Sequence, residues 1–402
     1  LRRKSESRTY CNYWIPAFAR PYDKKIQRQV SIVHGIFCSP KQKQTQRRLA
    51  MDKGSKLDFS GQHIYVGMDV HKKSWSVSIQ TEQFEHKTFT QPPEVEKLTG
   101  YLERTFPGAT YHTVYEAGFS GFWLHDRLKE KGIDCMVVNP ADVPTKDKER
   151  VGKTDRIDCR KLARGLRNGD MKGIYVPTRV KVEDRTLVRT RQSMVRKQTR
   201  CKNQIKSILF FYGITIPEEG HWSRRFIHWI ESIRMERASG DFALKAHLEE
   251  LKHLRQIIAN LNRAILSLSR TEAYRSEVLL LKSVPGISTL TAMILLTELA
   301  DISRFSSLDK LASYAGLVPD IKSSGETEYS SGITFRRNPA LRALLIESSW
   351  VSVRKDPALM MAFNKLSLRM KKTQAIVHIA RKLLNRVRFV LKNRQEYVLA
   401  VV

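Results

Sequence analysis

Alternating apolar and polar residues predict three strands close together in the chain, at His63 to Val70, Trp75 to Gln80 and Phe84 to Thr90. Helical and strand-like patterns then alternate. They predict a helix from Pro93 to Thr105, a strand ending at Tyr115-Glu116, a helix from Ser120 to Lys131, a strand from Asp134 to Val138, and a helix that begins near Asp155. The order βββαβαβα predicts a mixed α/β sheet with helices on its faces.

Acidic residues lie at strand ends, where sheets of this kind bind their ligands. Asp69 and Glu116 each lie at the end of a predicted strand. Asp155 and Asp158 are spaced i, i+3 at a helix start, so they share one face and can jointly hold a divalent cation. The alternative is a capping box, with Asp155 as N-cap and Asp158 in the first turn. Four carboxylates at strand ends and on one helix face favour metal chemistry.

The middle of the chain is basic and helical. Residues 181–206 hold nine Lys and Arg against two acids, with an apolar residue at every seventh position: Leu187, Met194, Cys201 and Ile208. So strong a bias favours contact with phosphates over a merely solvated helix face.

A plainer heptad pattern runs from 244 to 268. Its two series are Leu244, Leu251, Ile258, Ile265 and His247, Leu254, Leu261, Leu268. Four heptads indicate a coiled coil, within one chain or between chains. Oligomerisation follows if the pairing is between chains, and the connecting region 212–240 carries no pattern that we can interpret.

The last part opens with Val284-Pro285-Gly286-Ile287 between two predicted helices. This turn resembles a helix-hairpin-helix motif, in which backbone N–H groups face a DNA phosphate, and the alternative is a plain interhelical turn. A Gly/Ser-rich loop from Ser323 to Gly332 follows, and spacing alone makes Ser324 a turn residue. An amphipathic helix is predicted around Leu341 to Leu345.

Composition and charge indicate which class of partner the protein binds. The 402 residues include 71 Lys+Arg and 40 Asp+Glu, for a net charge of +31, which indicates a polyanionic partner and nucleic acid before membrane. The five cysteines form no CxxC pair, so we expect free thiols in a reducing cytoplasm and no zinc site. No apolar run is long enough for a membrane span, and no basic start followed by an apolar stretch indicates a signal peptide, so we expect none.

The first 50 residues carry 12 Lys+Arg and two acids, lack periodicity and precede the first methionine, Met51. We interpret them as an extension upstream of the true start, and the alternative is a disordered basic arm that binds nucleic acid.

Eight short motifs together resemble the IS110-type insertion-sequence transposases, serine-containing DEDD recombinases associated with a structured bridge RNA. The resemblance covers roughly residues 62 to 395. The motifs are Val66-Gly67-Met68-Asp69, Tyr115-Glu116-Ala117-Gly118, Asn139-Pro140, the run from Lys153 to Asp158, Val284-Pro285-Gly286-Ile287, the run from Ala315 to Pro319, Ser324-Gly325 and Leu341-Arg342.

The resemblance implies an RNase H-like (RuvC-like) domain and a serine nucleophile, Ser324. It implies that the acid set holds Mg²⁺ or Mn²⁺ through Asp69, Glu116, Asp155 and Asp158. The chain departs from the family pattern at Arg337, where glycine is common, and a second Ser-Ser-Gly at 330–332 offers another serine.

The sequence thus predicts four segments: a basic extension (1–61), a RuvC-like domain (62–178), a basic helical and coiled-coil segment (179–273) and a mainly α C-terminal transposase domain (274–402). The expected activity is DNA transposition through a covalent protein–DNA intermediate, in the prokaryotic cytoplasm at the nucleoid. Expected partners are donor and target DNA, a guide RNA and a second or further copies, as a homodimer or homotetramer. The alternatives are a RuvC-like endonuclease that uses water and a non-catalytic nucleic-acid-binding protein.

Overall fold

The structure is a computed structural model that describes residues 58–144, 154–217, 222–324 and 327–399, with the backbone alone at 321–324 and 327–331. The basic extension up to residue 57, together with Lys153 and Gly325 of the motifs, lies outside the described residues. The chain divides into two compact units, Leu1–Lys172 and Gly173–Val402.

The first unit is built on a five-stranded sheet in the order β3-β2-β1-β4-β5. Its strands are β1 (His63–Val70), β2 (Trp75–Gln80), β3 (Glu85–Gln91), β4 (Thr110–Glu116) and β5 (Asp134–Val138). β1, β2 and β3 pair antiparallel, whereas β4 is parallel to both β1 and β5. The predicted mixed sheet is confirmed, in an arrangement consistent with an RNase H-like fold.

Among residues 58–144 and 154–172, three α-helices accompany this sheet: α1 (Val95–Thr105), α2 (Trp123–Glu130) and α3 (Asp155–Asn168). α3 packs across β1, β2 and β4. Its buried face carries Cys159, Leu162 and Ala163, and Leu162 joins Val114 and Val138 in one apolar cluster. The sheet and α3 therefore share a core that begins just after the first turn of the helix.

Two long helices open the second unit, α4 (Arg179–Phe211) and α6 (Ala238–Leu268), with the short α5 (Arg224–Ser232) between them. They run antiparallel, because Cys201 contacts His247 while Arg191 contacts Asn262. The heptad region thus pairs within the chain, and the uninterpreted connector supplies α5, whose Phe226 and Ile230 complete that core.

The buried positions of α4 differ from the predicted series. Val188, Cys201, Ile205 and Leu209 are buried, whereas Leu187, Met194 and Ile208 are only partly so. The shift arises because α4 packs on α6 and also on α8, so no single seven-residue stripe describes its contacts.

The rest of the second unit is helical around a central helix, α8. The helices are α7 (Glu272–Lys282), α8 (Thr289–Leu299), α9 (Leu308–Ala315), α10 (Pro339–Lys355), α11 (Pro357–Ser367) and α12 (Lys372–Asn393). All residues of α8 from Ala292 to Leu299 are buried. Val188 of α4 and Ile265 of α6 join the same core, so packing continues across the predicted boundary at residue 273.

The predicted Gly/Ser-rich loop is wrong. Residues there form an antiparallel hairpin of β6 (Pro319–Ser324) and β7 (Thr327–Ile333), with Ser324 opposite Thr327. Ile321, Thr327, Tyr329 and Ile333 favour strands, and this preference outweighs the glycine and serine content.

The Pro285-Gly286 turn joins α7 to α8, as predicted, and Gly286 has a positive φ of 92°. Ser352 of α10 donates its hydroxyl hydrogen bond to the Pro285 carbonyl at 2.7 Å. The turn is therefore packed against α10, and its role as a helix-hairpin-helix stays a prediction. Among the described helices, none has the length and apolar character needed to cross a bilayer.

Candidate active site

Two acidic residues come together through the parallel pairing of β1 and β4. Met68 is the register partner of Tyr115, so Asp69 and Glu116 follow at the same level of neighbouring strands. Asp69 is the penultimate residue of β1 and Glu116 the last of β4. The sheet therefore presents both backbones at one edge, as the sequence predicted.

Helix α3 begins at this level with the other two acids. Thr154 is its N-cap, and its hydroxyl accepts the Ile157 N–H at 3.4 Å. Asp155 is therefore the first helical residue, not the N-cap of the alternative interpretation. Asp155 and Asp158 both lie in the first turn, where the positive end of the helix dipole stabilises negative charge.

Asp69, Asp155 and a histidine absent from the predicted set form a compact cluster. The Nε2 atom of His71 lies 3.2 Å from Asp69 Oδ2 and 3.7 Å from Asp155 Oδ2. The ligand atoms of these three side chains all lie within 4.8 Å of one another. One acid of the sheet, Asp69, thus lies close to one acid of α3, Asp155. Glu116 ends the neighbouring strand β4, and Asp158 lies in the same first turn of α3 as Asp155.

Burial and neighbouring charges both act on the Asp69 carboxyl of this cluster. Burial raises the pKa of Asp69; His71 lowers it, and repulsion from Asp155 and Asp158 raises it again, with a net upward shift. Asp158 contacts Lys161 at 3.5 Å, and both side chains are largely buried. A carboxylate in this surrounding gains from a further positive charge.

The donor set fits a divalent metal ion. Carboxylate oxygens suit Mg²⁺ and Mn²⁺, and of these two ions Mn²⁺, a first-row transition metal, more readily accepts an imidazole nitrogen as well. Burial, followed by repulsion from Asp155 and Asp158, raises the pKa of Asp69, so a cation bound between Asp69 and Asp155 would stabilise its ionised form. Asp69 and Asp155 would hold the ion, and Glu116 and Asp158 lie on the elements beside it.

A glycine makes this approach possible. A β-carbon at Gly67 would overlap the Cys159 carbonyl oxygen and the Ala163 amide nitrogen of α3. Only a residue without a side chain lets the helix backbone lie this close to β1. Gly67 is two residues before Asp69, so the close contact sets the distance between Asp69 and Asp155.

Exposed aromatic and basic side chains adjoin the acids. The Lys72 ammonium lies 6.0 Å from the ring centre of Phe119, and Phe119 and Trp123 are both exposed. Rings of this kind can stack on nucleic-acid bases, and lysine attracts phosphate.

Ser324 lies in the second unit, at the last position of β6. The hairpin that carries it is held at its base by backbone and side-chain bonds. The Thr334 N–H donates to the Val318 carbonyl at 3.1 Å, and Arg342 donates to the Thr334 carbonyl. The hairpin thus leads directly into the start of α10.

A buried ion pair supports that start. Glu298 is completely buried, and both of its oxygens accept from Arg189, at 2.6 and 2.8 Å. Asn338 donates its side-chain amide to Glu298 at 2.8 Å and caps α10 by accepting from the Ala340 and Leu341 N–H groups. The base of the hairpin is therefore tied to α4 and α8.

Ionisation of Glu298 depends on these donors. Burial of the carboxyl opposes ionisation, but hydrogen bonds from Arg189 and Asn338 outweigh it and lower the pKa of Glu298. The charged form is therefore the one that the fold retains.

Sequence reasoning missed His71 and Glu298. An Asp-x-His spacing at a strand end is a signal that could have found His71, because both side chains then lie at one sheet edge. Glu298 stands alone in an apolar helix, which signals a buried partner without naming it.

Two family profiles match most of the described chain. A DEDD transposase family profile matches residues 66–214, and the profile described as "Transposase IS116/IS110/IS902 family" matches residues 278–364. The y4qE protein of Sinorhizobium fredii is 29% identical over 71% of each chain. The transposase for insertion sequence element IS1533 of Leptospira borgpetersenii is 26% identical over 59% of this chain and 70% of its own length.

A further relative is named for a different rearrangement. The pilin gene-inverting protein of Moraxella lacunata is 26% identical over 80% of this chain and 93% of its own length. The similarity thus includes a protein named for inverting a gene as well as proteins named for transposition.

Proposed function

Because this chain belongs to the IS110 family of transposases, enzymes that act on DNA, we propose that it cuts and rejoins DNA with a metal-binding set of acids and a serine nucleophile. In this proposal Asp69, Glu116, Asp155 and Asp158 hold a divalent metal, Mg²⁺ or Mn²⁺, and Ser324 is the nucleophile. The observation that carries the proposal is the approach of Asp155 to Asp69 within a three-residue cluster of ligand atoms.

The metal, when bound, supplies positive charge that polarises the scissile phosphate and stabilises the attacking and leaving oxygens. The carboxylates orient that charge, and Lys161 holds Asp158 in place. The exposed Phe119 and Lys72 beside the acids suit an unpaired or distorted strand.

The serine step conserves the energy of the phosphodiester bond. The Ser324 oxygen bonds to phosphorus, the bond from phosphorus to the departing sugar oxygen breaks, the serine proton passes to a base or solvent, and the departing oxygen takes up a proton. A second sugar hydroxyl then displaces the serine in the reverse sense. Strand exchange needs no external energy source in this scheme.

The guide RNA is part of the same proposal. Its support is the net charge of +31 and the basic residues of α4, a density suited to phosphates. Base recognition would then be delegated to RNA pairing, as in other guided systems. Strand exchange also requires several cleavages held together, which favours a homodimer or homotetramer.

A metal-dependent endonuclease is the second candidate. The cluster of Asp69, His71 and Asp155 lies wholly within the first unit, so hydrolysis by water would use the same acids without the serine. Such an enzyme would leave no protein on the DNA.

Adduct formation separates the two functions. Wild-type protein, Ser324→Ala and the control Ser330→Ala are incubated with labelled element-end DNA, the element's transcript and Mn²⁺, then run on denaturing gels. We expect a protein–DNA adduct that Ser324→Ala and EDTA remove and Ser330→Ala retains. An adduct in Ser324→Ala that is lost in Ser330→Ala would move the role to the second Ser-Ser-Gly, and cleavage without adduct would favour the nuclease.

A further inference from the structure

His71 presents one ring nitrogen to both carboxylates of the cluster. Nε2 is 3.2 Å from Asp69 Oδ2 and 3.7 Å from Asp155 Oδ2. A tight turn after β1 places the ring there, with the His71 N–H bonded to the Ser74 carbonyl at 3.1 Å. About half of the side chain is exposed (49%), so the ring faces solvent on its other side.

These separations match those between ligands of one ion. An octahedral ion with bonds of about 2.1 Å has neighbouring ligand atoms about 3 Å apart and opposite ones about 4.2 Å apart. The distances from Nε2 to the two carboxylate oxygens fall between these limits. A cation between Asp69 and Asp155 would therefore have His71 Nε2 within reach of its coordination shell, after shifts of a few tenths of an ångström.

The elements around the cluster favour a ligand over a plain hydrogen bond. His71 Nε2 is within hydrogen-bond distance of Asp69 of β1, and it also lies 3.7 Å from Asp155 of α3, a second carboxylate that a histidine orienting Asp69 alone would not need. α3 is held against β1 by the contact at Gly67, so the three groups are arranged before any ion arrives.

We infer that His71 coordinates the catalytic divalent cation through Nε2, together with Asp69 and Asp155, and that this nitrogen makes the site select Mn²⁺ over Mg²⁺. The inference rests on the metal site of the proposed function. Mg²⁺ takes oxygen ligands and keeps several waters, whereas Mn²⁺, although the weakest binder of the first-row divalent series, accepts an imidazole nitrogen beside its oxygen ligands. An all-carboxylate site would show a weaker preference.

Pulsed electron paramagnetic resonance of bound Mn²⁺ tests this without any activity measurement. A coordinated imidazole gives nitrogen modulation of the Mn²⁺ echo. We expect it in the wild type and in His378→Ala, which removes an exposed histidine of α12, and not in His71→Ala. His71→Gln, which keeps a polar side chain, should also lose it. Circular dichroism checks that each variant folds.

Affinities give the second readout. His71→Ala should weaken Mn²⁺ binding by about 10- to 100-fold, as loss of groups around metal ligands does, and weaken Mg²⁺ binding far less. Calorimetry measures the Mn²⁺ affinity and competition the Mg²⁺ affinity.

The outcomes distinguish a wrong role for His71 from a wrong metal site. Mn²⁺ binding that Asp155→Asn abolishes, but with no nitrogen modulation in the wild type, would overturn the role of His71 and leave the carboxylate site intact. Equal losses of Mn²⁺ and Mg²⁺ affinity in His71→Ala would overturn the selectivity. Mn²⁺ binding indifferent to both Asp69→Asn and Asp155→Asn would overturn the metal site itself, and the inference with it.

Discussion

Gly67 of β1 lies against Ala163 of α3 with no space for a side chain between the two backbones. Ala163 is buried, and so is Cys159 one turn earlier on the same face. The contact lies in the core, and it determines how closely Asp69, two residues further along β1, approaches Asp155. Packing density at one glycine thus sets the geometry of the acids.

Gly67→Ala should therefore displace α3. We expect a loss of about 3 kcal/mol in the free energy of unfolding, the upper part of the usual cost of overpacking, and a loss of Mn²⁺ binding. Thermal melts and calorimetry measure both. The control is Gly100→Ala in α1, where an added β-carbon meets nothing within 4 Å and should stabilise the helix by about 0.5–1 kcal/mol. Unchanged Mn²⁺ affinity in Gly67→Ala would contradict the link.

The Cys159 thiol reports on the same contact. Burial and the nearby Asp69 raise the pKa of Cys159 to about 12, so the native thiol should resist maleimide at pH 8. In Gly67→Ala we expect labelling at least about tenfold faster, because the displaced α3 no longer holds its Cys159 thiol against the sheet. Peptide mass spectrometry resolves the sites, and buried Cys201 of the other unit should stay slow in both proteins. Fast labelling of Cys159 in the wild type would show that α3 is not held there.

Asp69 should cost stability when no metal is bound. Its folded pKa is raised, chiefly by burial, so its contribution favours the fold below the unfolded pKa and is lost as pH rises through the folded value. At pH 7 in EDTA, Asp69→Asn should melt above the wild type by about 2 °C, and excess Mn²⁺ should reverse the order. Glu82→Gln, at an exposed residue, should shift neither melt. A lower melting point of Asp69→Asn in EDTA would refute this.

The sequence predicted the strands of the sheet well, because the alternation of apolar and polar residues that marks each strand is a local pattern. Asp69 and Glu116 lie at strand ends regardless of which strands pair with theirs. His71 was missed because its one local signal, the spacing to Asp69, is common in exposed turns and does not by itself indicate a metal ligand. Its significance arises only when α3, more than 80 residues later, brings Asp155 to it.

The second unit was harder to predict for two physical reasons. The hairpin of β6 and β7 is rich in glycine and serine, whose turn preference hides the strand preference of Tyr329 and Ile333. In α4, contacts with two different helices bury Val188 and Ile205 rather than a strict heptad. Both failures come from tertiary packing that overrides a local pattern.

Glu298 gives the second unit a defined pH dependence. Hydrogen bonds outweigh burial and hold its pKa below the ordinary 4.5, so its ionised form stabilises the fold above that value and the stabilisation is lost as pH falls through the lowered pKa. Glu298→Gln should flatten the fall in stability between about pH 5 and 3. Urea unfolding measures this, with the exposed Glu347→Gln as control.

Removal of the side chain should be more damaging than neutralisation. Glu298→Ala leaves Arg189 and Asn338 without their acceptor, and we expect a loss of about 3 kcal/mol, the low end for a broken buried pair because Arg189 is half exposed. A pH profile of Glu298→Gln identical in slope to that of the wild type would mean that the carboxyl does not titrate with unfolding.

Mixed subunits test the assembly. We predict that the acids of one subunit act with the serine of another, so Asp155→Asn and Ser324→Ala proteins should each be inactive alone. Co-expressed and purified as hetero-oligomers, they should regain part of the strand-exchange activity, since one kind of site keeps both intact acids and intact serine. Verified hetero-oligomers without activity would place the site within one chain.

The position of Ser324 depends on the orientation of the hairpin of β6 and β7. Ser324 lies five residues beyond Pro319, a span of about 17 Å at the rise of a strand. A tilt of about 10° at the base would carry the Ser324 backbone by about 3 Å, the length of a hydrogen bond. The hydrogen bonds of Thr334 with Val318 and Arg342 at that base therefore determine the position of Ser324. A substitution at the base can displace Ser324 without contacting it.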